Sequence, residues 1–539
     1  MKALRENLRL LLLETTKQVE DASKLMQSLP NKKLYDKIQS RDDYVDTMKG
    51  IIEEKSLMFM REGGSKENAN LARSVNIIAS NLEHIGDHAV NLARQTGYLT
   101  DAALLQDYGI EGFFAELRQA LGWVEKALNE KNMTFALKIC KAEKNLDGLY
   151  SEGMKKVITE LNEGKCAGDR VTVLFIMQFL ERAGDSVLNI GEAILSYAVG
   201  ERIKIHQFKA FQEAVGADSG NSGAISFEPV GETKSGNMIK KVNGSVLAPD
   251  SQWVIFKEGR TDKIKNEKVK TDMWESAFPG ICPKIIKYTE HGKNASMIIE
   301  FLKGRTIKEI ILNSSVQSIR ASVSRLCCSL EEIWNATVKR EQASAAYMHQ
   351  AMARLDEVYK VHPGFCRNSA VIGELEVPSI EDLINRAAVI EKGIKAPFTV
   401  LIHGDFNNDN IIYDDKADRA YFIDIHRSEW TDYVQDVSVF LVSGYRMPVF
   451  DKAVRGKINS VLDYFLKFAT SYALKCGDSG FESRLALGLA RSFITSTRFE
   501  TNPEFAGHMY MKAYYIIERF LESGDAPENF KLEKGLLAH

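Results

Sequence analysis

The hydrophobic positions of the first part of the chain recur with helical spacing. From residue 1 to about residue 208, Leu, Ile and Met return every three or four positions, and Lys and Glu occupy the positions between them. This pattern predicts amphipathic helices. Pro30 and the glycines at 63, 64, 109, 112, 164 and 168 interrupt it and predict the helix ends. We therefore predict an all-α part built from long helices.

The pattern changes after this part. The stretch Ala214–Ala224 is small, polar and rich in Gly, which is the composition of a flexible linker, and we predict this linker at 209–224. Short apolar runs between Gly and Asn turns then predict strands at 224–230, 238–246, 252–257, 284–288 and 296–302. A charged helix is predicted at 263–278, and a β-like segment at 398–426 interrupts later helices. These patterns predict a small sheet with one helix at 225–305 and a larger helical body at 306–539.

An internal repeat divides the helical part. Val75–Gln95 matches Val173–Ala193, and the two segments share the pattern L-E-x-x-G-D-x-x-x-N. The matching polar residues are Glu83, Asp87 and Asn91 in the first copy and Glu181, Asp185 and Asn189 in the second. A fainter acidic pair precedes each copy, Asp42 with Asp46 and Glu143 with Asp147. The repeat predicts two related three-helix units, at about 20–100 and 115–205.

The repeated acids are spaced to share one helix face. Residues four apart on a helix lie nearly above one another, and two carboxylates so placed repel by a few tenths of a kcal/mol. A bound cation would offset this repulsion, and oxygen ligands favour Mg, Ca, Mn or iron. The alternative interpretation is a solvated acidic face, with Gly86 and Gly184 allowing close helix packing. His84 and His88 do not recur in the second copy, so we interpret them as surface or supporting residues.

At these residues the chain resembles a known family. LEHIGDHAVNLA and LERAGDSVLNIGE are similar to the repeated signature of PhoU, a phosphate-signalling regulator built from two three-helix bundles. The resemblance covers about residues 20–205, and the first 20 residues are expected to add a helix. It implies a multinuclear cluster of iron, zinc, manganese or calcium on Glu83, Asp87, Glu181 and Asp185, and less firmly on Asp42, Asp46, Glu143 and Asp147. It also implies a phosphate transporter or sensor kinase as partner and a homodimer.

The second part carries the sequence LIHGDFNNDNIIYD, followed by FIDIHRSEW. Phosphoryl transfer needs a carboxylate that orients and deprotonates the attacking hydroxyl, and oxygen ligands for magnesium. Asp405 fits the first role, and Asn410 and Asp424 fit the second. His403 is expected to support this catalytic loop. A lone H-G-D would arise by chance, but here an asparagine, an apolar run and an aspartate follow it.

These motifs resemble the aminoglycoside phosphotransferase and choline kinase group, relatives of protein kinases, over about residues 225–520. The resemblance implies a two-lobed α+β domain that uses ATP and Mg²⁺. In WVIFKEG, Lys257 would contact the nucleotide phosphates, and Glu267 would be its ion-pair partner, with Glu275 as the alternative.

The same resemblance assigns three further parts. The turn GETKSGN (Gly231–Asn237) would cover the phosphates, and the backbone near Glu300 to Leu302 would hold adenine. Asp436 would brace the catalytic loop, although an acid at a helix start is an equally good interpretation.

Composition narrows the function classes. The 539 residues carry 70 basic and 73 acidic side chains, so no overall positive charge favours nucleic acid. Seven cysteines without a C-x-x-C pair indicate a reducing compartment, and no run is apolar enough for a signal peptide or a membrane span. We therefore expect a cytoplasmic phosphotransferase for a small-molecule hydroxyl, coupled to a metal-binding PhoU-like domain. The alternative is a phosphate-responsive regulator or scaffold whose second half only binds nucleotide or modifies a protein partner.

Overall fold

The computed structural model describes residues 1–61, 65–215, 227–229, 238–243, 253–344, 346–524, 527, 530–533 and 535–537. The chain divides into two compact units. The first contains Met1–Gly259 with Lys287–Ile298, and the second contains Arg260–Ile286 with Ile299–His539. Residues 216–224 of the predicted linker and the predicted phosphate-covering turn Gly231–Asn237 lie outside the described residues.

The first unit begins with two bundles of three long helices. The helices are α1 (Lys2–Gln27), α2 (Lys32–Arg61) and α3 (Lys66–Gln95), then, after the short α4 (Leu104–Asp107), α5 (Ile110–Asn129), α6 (Met133–Asn162) and α7 (Ala167–Val199). Ser65 and Asn132 cap α3 and α6 by accepting backbone N–H groups of their first turns. The duplicated helical unit predicted from the repeat is present, with three long helices per copy.

The first bundle begins near residue 2, not at about residue 20. Leu4, Leu8 and Leu11 of α1 are buried, so this helix belongs to the bundle and is not an addition to it. The repeated glycines allow the helices to approach closely. A Cβ at Gly184 would lie 2.8 Å from Leu146 Cδ1, and one at Gly86 would lie 2.9 Å from Gln18 Oε1.

Helix α8 (Ile205–Val215) extends into the segment predicted as a linker. Its Phe208 and Phe211 are buried, and the ring of Phe211 meets that of Phe256 edge-on at 5.3 Å. Phe256, Val254 and Ile298 belong to the same apolar cluster as the two bundles. Strands of the predicted small sheet therefore share the core of the helical half.

The sheet contains β1 (Phe227–Pro229), β2 (Met238–Asn243), β3 (Trp253–Arg260), β4 (Ile285–His291) and β5 (Asn294–Glu300), in the order β1-β2-β3-β5-β4. β2 and β3 are antiparallel, with Ile239 opposite Lys257. Helix α9 (Thr261–Ala277) follows β3 directly. The prediction of one small sheet with one helix is thus met by five strands and α9.

The second unit is mainly helical around a small β region. Its helices are α10 (Ile307–Asn313), α11 (Val316–Thr337), α12 (Tyr347–Met352), α13 (Leu355–Val361), α14 (Ile380–Glu391), α15 (Val434–Tyr445), α16 (Lys452–Lys475), α17 (Phe481–Thr497) and α18 (Pro503–Leu521). Its strands are β6 (Arg305–Thr306), β7 (Ala370–Ile372), β8 (Leu375–Val377), β9 (Val400–Ile402), β10 (Ile411–Asp414), β11 (Arg419–Phe422) and β12 (Glu429–Thr431). The predicted fold class is confirmed: all-α bundles precede a mixed α and β part with small sheets.

β9 pairs with β12, and β10 pairs with both β11 and β6. The segment between β9 and β10 contains the H-G-D motif, so short strands hold both of its ends. None of the helices in the described part of the chain is long and apolar enough to span a membrane.

Candidate active site

The catalytic loop leaves β9 through a turn that only glycine allows. Gly404 has φ +84°, a conformation that side chains disfavour. A Cβ at this position would lie 2.3 Å from the backbone oxygen of Arg427. The glycine of H-G-D is therefore required by the close approach of the two loops.

Asp436, in the first turn of α15, holds the turn at Gly404 by hydrogen bonds. Its carboxylate accepts the backbone N–H groups of His403 at 2.7 Å and Gly404 at 2.9 Å. The side chain is buried, and burial raises the pKa of Asp436 to about 7. The sequence allowed two interpretations of Asp436, a brace of this loop and an acid at a helix start. Its hydrogen bonds show that it braces the loop.

His403 is fixed as a neutral ring. Its Nε2 lies 2.9 Å from the backbone oxygen of Ile423, which only accepts hydrogen bonds, so Nε2 carries the proton. Its Nδ1 accepts the backbone N–H of Asp405 at 3.2 Å. Burial lowers the pKa of His403. Both ring nitrogens are used, so His403 positions the loop and is not itself available for proton transfer.

Asp405 and Asn410 are tied together within the loop. The Asp405 carboxylate remains partly exposed, with Asn407 Nδ2 3.3 Å from its Oδ1 and Arg427 Nη1 4.0 Å from its Oδ2. Asn410 Nδ2 donates to the backbone oxygen of Asp405 at 2.9 Å. This bond uses the amide nitrogen of Asn410, so its side-chain oxygen is the atom that can coordinate a cation.

Asp424 lies in the loop after β11, not on the strand where the sequence pattern suggested. β11 ends at Phe422, and Asp424 has φ +63°. The backbone N–H of Ile423 donates to the backbone oxygen of Asn410 at 3.0 Å, which joins the segments carrying the two predicted magnesium ligands. His426 Nδ1 lies 3.3 Å from Asp424 Oδ1, and this hydrogen bond raises the pKa of His426.

Helix α9 contacts the loop that carries Asp424. Asn266 Nδ2 donates to the backbone oxygen of His426 at 2.8 Å, and Trp274 Nε1 donates to Ser428 Oγ at 2.7 Å. Glu267, on the same helix, is buried, and its charge also contributes to the raised pKa of His426. Helix α9, which carries Glu267, therefore supports the loop through Asn266 and Trp274.

The two candidates for the lysine partner differ in their surroundings. Glu275 accepts the backbone N–H of Gly280 at 2.8 Å and so closes the turn after α9. Lys257 on β3 is as buried as Glu267, each being 5% exposed. Buried charges of this kind are almost always paired. The Lys257–Glu267 ion pair stays a prediction.

The repeated acids of the helical half influence one another electrostatically. In the first copy burial and the charge of Asp87 raise the pKa of Glu83, while burial and the charge of Asp46 raise that of Asp87. In the second copy burial and the charge of Asp185 raise the pKa of Glu181. Burial and the charge of Asp147 raise the pKa of both Asp185 and Glu143.

These acids do not form a ready-made metal site. Among the described residues, no group of three or more His, Cys, Asp and Glu side chains is arranged to hold one metal ion. The donor atoms have the chemistry of a hard-cation site, and metal binding by these acids stays a prediction. His88 is half-buried, which lowers its pKa to about 4, and its ring lies 6.1 Å from that of Phe179. It therefore supports the packing as a neutral residue.

Three arginines near Asp405 were not singled out from the sequence. They are Arg427, whose Nη1 lies 4.0 Å from Asp405 Oδ2, and Arg446 after α15 and Arg491 in α17, on both of which the charge of Asp405 acts. A sequence signal existed for one of them, because Arg491 interrupts the apolar run LALGLARSFI. A charge inside a buried helix face is informative, since arginine is rarely buried without a partner.

Family comparisons match both halves. A PhoU domain model matches residues 8–96 and 114–194, and an ecdysteroid kinase-like family model matches residues 325–456. A phosphate-specific transport system accessory protein PhoU homolog of Clostridium acetobutylicum is 25% identical over 197 residues, which cover 35% of this chain and 88% of that protein.

Two solved structures are also similar to this chain. An aminoglycoside-3'-phosphotransferase of type VIII is 18% identical, with 50% of this chain and 99% of that chain covered and a TM-score of 0.31. The choline kinase of Cryptosporidium parvum is 14% identical, with 57% and 93% covered and a TM-score of 0.35. The family models confirm both resemblances: a tandem PhoU domain precedes a kinase-like domain, and the kinase-like match includes the catalytic loop.

Proposed function

We propose that this protein is an ATP- and Mg²⁺-dependent phosphotransferase that phosphorylates a hydroxyl group of a small molecule, and that its PhoU domain binds a divalent cation and regulates it. The observation that supports the first part is the fixed geometry of the catalytic loop. Asp436 holds the turn, His403 holds the backbone of Asp405, and Asn410 is bonded to the same backbone. Catalysis by positioning needs such a loop to be ordered before substrate binds.

In this proposal Asp405 orients the acceptor hydroxyl and takes its proton. The acceptor oxygen forms a bond to the γ-phosphorus as the bond from that phosphorus to the β–γ bridging oxygen breaks. The electron pair of the broken bond leaves with ADP. Asp405 suits this role because its carboxylate is partly exposed while its backbone is held at three points.

The remaining residues neutralise phosphate charge. Asn410 and Asp424 would hold magnesium, which, when bound, offsets the negative charge of the nucleotide phosphates. Lys257 would contact those phosphates, and Glu267 would orient Lys257. The contacts of Asn266 and Trp274 with the Asp424 loop would keep this loop and α9 moving together.

The test is metal-dependent ATP turnover in the wild type and in Asp405→Asn, with a metabolite library as acceptors. We expect turnover to fall at least about a hundredfold in Asp405→Asn, as for loss of a general base, with ATP binding retained. Asp415→Asn is a matched control, because Asp415 is exposed and pairs with Arg305 at the surface. Nucleotide binding without turnover in the wild type would support the regulatory alternative and reject the enzyme.

For the helical half, the mutual repulsion of the repeated acids supports cation binding. Burial and neighbouring carboxylates raise the pKa of Glu83 and Glu181. A divalent cation would relieve this repulsion, at the cost of bringing the acids closer together than they lie now.

Elemental analysis of the purified full chain tests this second part. We expect bound iron, zinc, manganese or calcium in the wild type and its loss in the Glu83→Ala/Glu181→Ala double variant. A Glu53→Ala/Glu152→Ala double variant, which removes exposed acids of α2 and α6, should keep the metal. Equal metal content in all three proteins would reject the site.

A further inference from the structure

Helix α17 carries two buried arginines on one face, and among the residues that the structure describes only Arg484 has carboxylate partners. Arg484 and Arg491 are seven residues apart, which is two helical turns. Arg484 donates to Asp432 Oδ2 at 2.8 Å and to both carboxylate oxygens of Asp478 at 3.0 and 2.6 Å. Two buried carboxylates therefore neutralise Arg484 completely.

Arg491 has no such carboxylate. It is 9% exposed, and its Nε and Nη2 have no hydrogen-bond partner among the residues that the structure describes. Its guanidinium lies 5.5 Å from the centre of the Tyr347 ring. Burying two N–H donors of a guanidinium without acceptors costs free energy. Such unpaired donors in a folded protein call for an explanation, and binding of a ligand is one.

Arg491 lies on the part of α17 that packs against α15, because the neighbouring Ser492 Oγ donates to Ser438 Oγ at 3.4 Å. Asp436 of α15 holds the turn that precedes Asp405. Asp405 and Asp436 are the carboxylates whose charges act on Arg491, together with the phenol of Tyr347 and the cation of Arg427. Arg427 Nη1 lies 4.0 Å from Asp405 Oδ2. Arg491 thus lies near the carboxylate that the proposed reaction places against the acceptor.

Arg446 adds a further positive charge on the same side. It follows α15, and Asp405, Asp409 and Glu500 are the acids whose charges act on it. No ion pair or hydrogen bond of its side chain is recorded among the described residues. Arg498 also faces Arg427, but its charge is satisfied by Glu357. The charge of Asp405 therefore acts on both Arg446 and Arg491, and Arg427 Nη1 lies 4.0 Å from its carboxylate.

We propose that the acceptor carries an oxyanion group, a phosphate or a carboxylate, and that Arg491 binds this group with Arg446 while Asp405 holds the hydroxyl to be phosphorylated. This inference rests on the proposed function and specifies its substrate class. Guanidinium groups bind phosphate and carboxylate through paired N–H donors, and Arg491 has such donors unused. Arg446, which follows α15, and Arg491 of α17 belong to the second unit, whereas Lys257, the proposed phosphate contact of the nucleotide, belongs to β3.

The first test compares small hydroxyl compounds that carry a negative, a neutral or a positive group. Hydroxyl compounds are offered in sets, for example glycerol, glycerol 3-phosphate, glycerate and choline. We expect kcat/KM to be at least roughly tenfold higher for the anionic members than for the neutral and cationic ones. Comparison of the phosphate and carboxylate members shows which of the two oxyanions the acceptor carries. Faster turnover of neutral or cationic members would overturn the proposal.

The second test does not need turnover. Sulfate is titrated into the full chain saturated with a non-hydrolysable MgATP analogue, and the melting temperature is followed. We expect sulfate to raise the melting temperature of the wild type, Arg491→Gln to lose this rise, and Arg491→Lys to retain part of it. Arg320→Gln, at an exposed arginine of α11, should behave as the wild type. A sulfate response that persists in Arg491→Gln would overturn the proposal.

The two outcomes separate this inference from the proposed function. Arg491-dependent sulfate binding without ATP turnover would leave the anion site standing and reject the phosphotransferase. Turnover without an Arg491-dependent response to anions would support the phosphotransferase and reject the anion site. Arg491→Gln is expected to fold, because it removes a buried charge that has no ionic partner. A raised KM for ATP, with the acceptor KM unchanged, would assign Arg491 to the nucleotide and overturn the acceptor site.

Discussion

The two halves of the chain both gather carboxylates, but they hold them in different ways. In the helical half, Glu83 and Asp87 come together because they lie four residues apart on one helix, and burial and mutual charge raise the pKa of each. In the kinase-like half, the backbone of Asp405 is held by His403 and Asn410, and Asp436 holds the turn before it. Hydrogen bonds thus order the loop before any ligand binds, whereas helical spacing leaves repulsion that a cation or a proton relieves.

The largest expected effect comes from removing the brace of the catalytic loop. In Asp436→Asn, one amide oxygen replaces two carboxylate oxygens, so the buried N–H of His403 or of Gly404 loses its acceptor. Such a loss costs about 1–3 kcal/mol, and the displaced loop should lower kcat about a hundredfold. Turnover and the melting temperature of the second unit measure both effects.

The control for this variant is Asp463→Asn, which changes only an exposed pair with Lys467 on α16. It should leave both kcat and the melting temperature unchanged. Full activity in Asp436→Asn would mean that the order of the loop does not depend on hydrogen bonds. The contrast between the two halves would then disappear.

A second prediction concerns the apolar contact of the helical half with β3. Phe211→Ala removes the ring that packs against Phe256, and truncation of a buried Phe costs about 3–5 kcal/mol. We expect faster hydrogen exchange in Trp253–Arg260 as well as a less stable helical half. Phe113→Ala is the matched control, because Phe113 is equally buried in the same cluster but lies on α5.

The two variants should differ at the strand and not in overall stability. If Phe113→Ala raises the exchange of β3 as much as Phe211→Ala does, the effect is global. In that case α8 would not be the element through which the helical half supports β3, the strand that carries Lys257. If only Phe211→Ala does so, a change in the bundles has a physical route to the proposed phosphate-binding lysine.

The features that the sequence predicts well depend on local period and spacing. The helical repeat, the H-G-D loop and its flanking strands follow from residues that are close in the chain. The place of α8 does not, because Phe208 and Phe211 are buried by strands some forty residues later. The arginines around Asp405 come from three separate elements, and only folding brings them together. The predicted metal cluster stays a prediction, because spacing along one helix does not determine how the acids of neighbouring helices lie relative to one another.

The smallest expected effect tests the repulsion in the helical half. Because folding raises the pKa of Glu83 and Glu181, their contribution to stability is complete below the unfolded pKa and is lost as the pH rises through the folded pKa. The metal-free helical half should therefore lose stability as the pH rises from the acidic range. Replacing both acids by neutral residues, Glu83→Gln/Glu181→Gln, should recover up to about 1 kcal/mol at neutral pH, as expected for a few like-charge pairs.

Urea unfolding of the chelator-treated protein at pH 4.5 and 7.5 measures this difference between wild type and double variant. Asp436 also has a raised pKa, but it is present in both proteins and cancels in the comparison. The gain should shrink in high salt, which screens partly exposed charges. Glu152→Gln, at an exposed acid of α6, should give no gain. If the double variant is less stable than the wild type at pH 7.5, the acids are already compensated within the protein, and a cation has no repulsion to relieve.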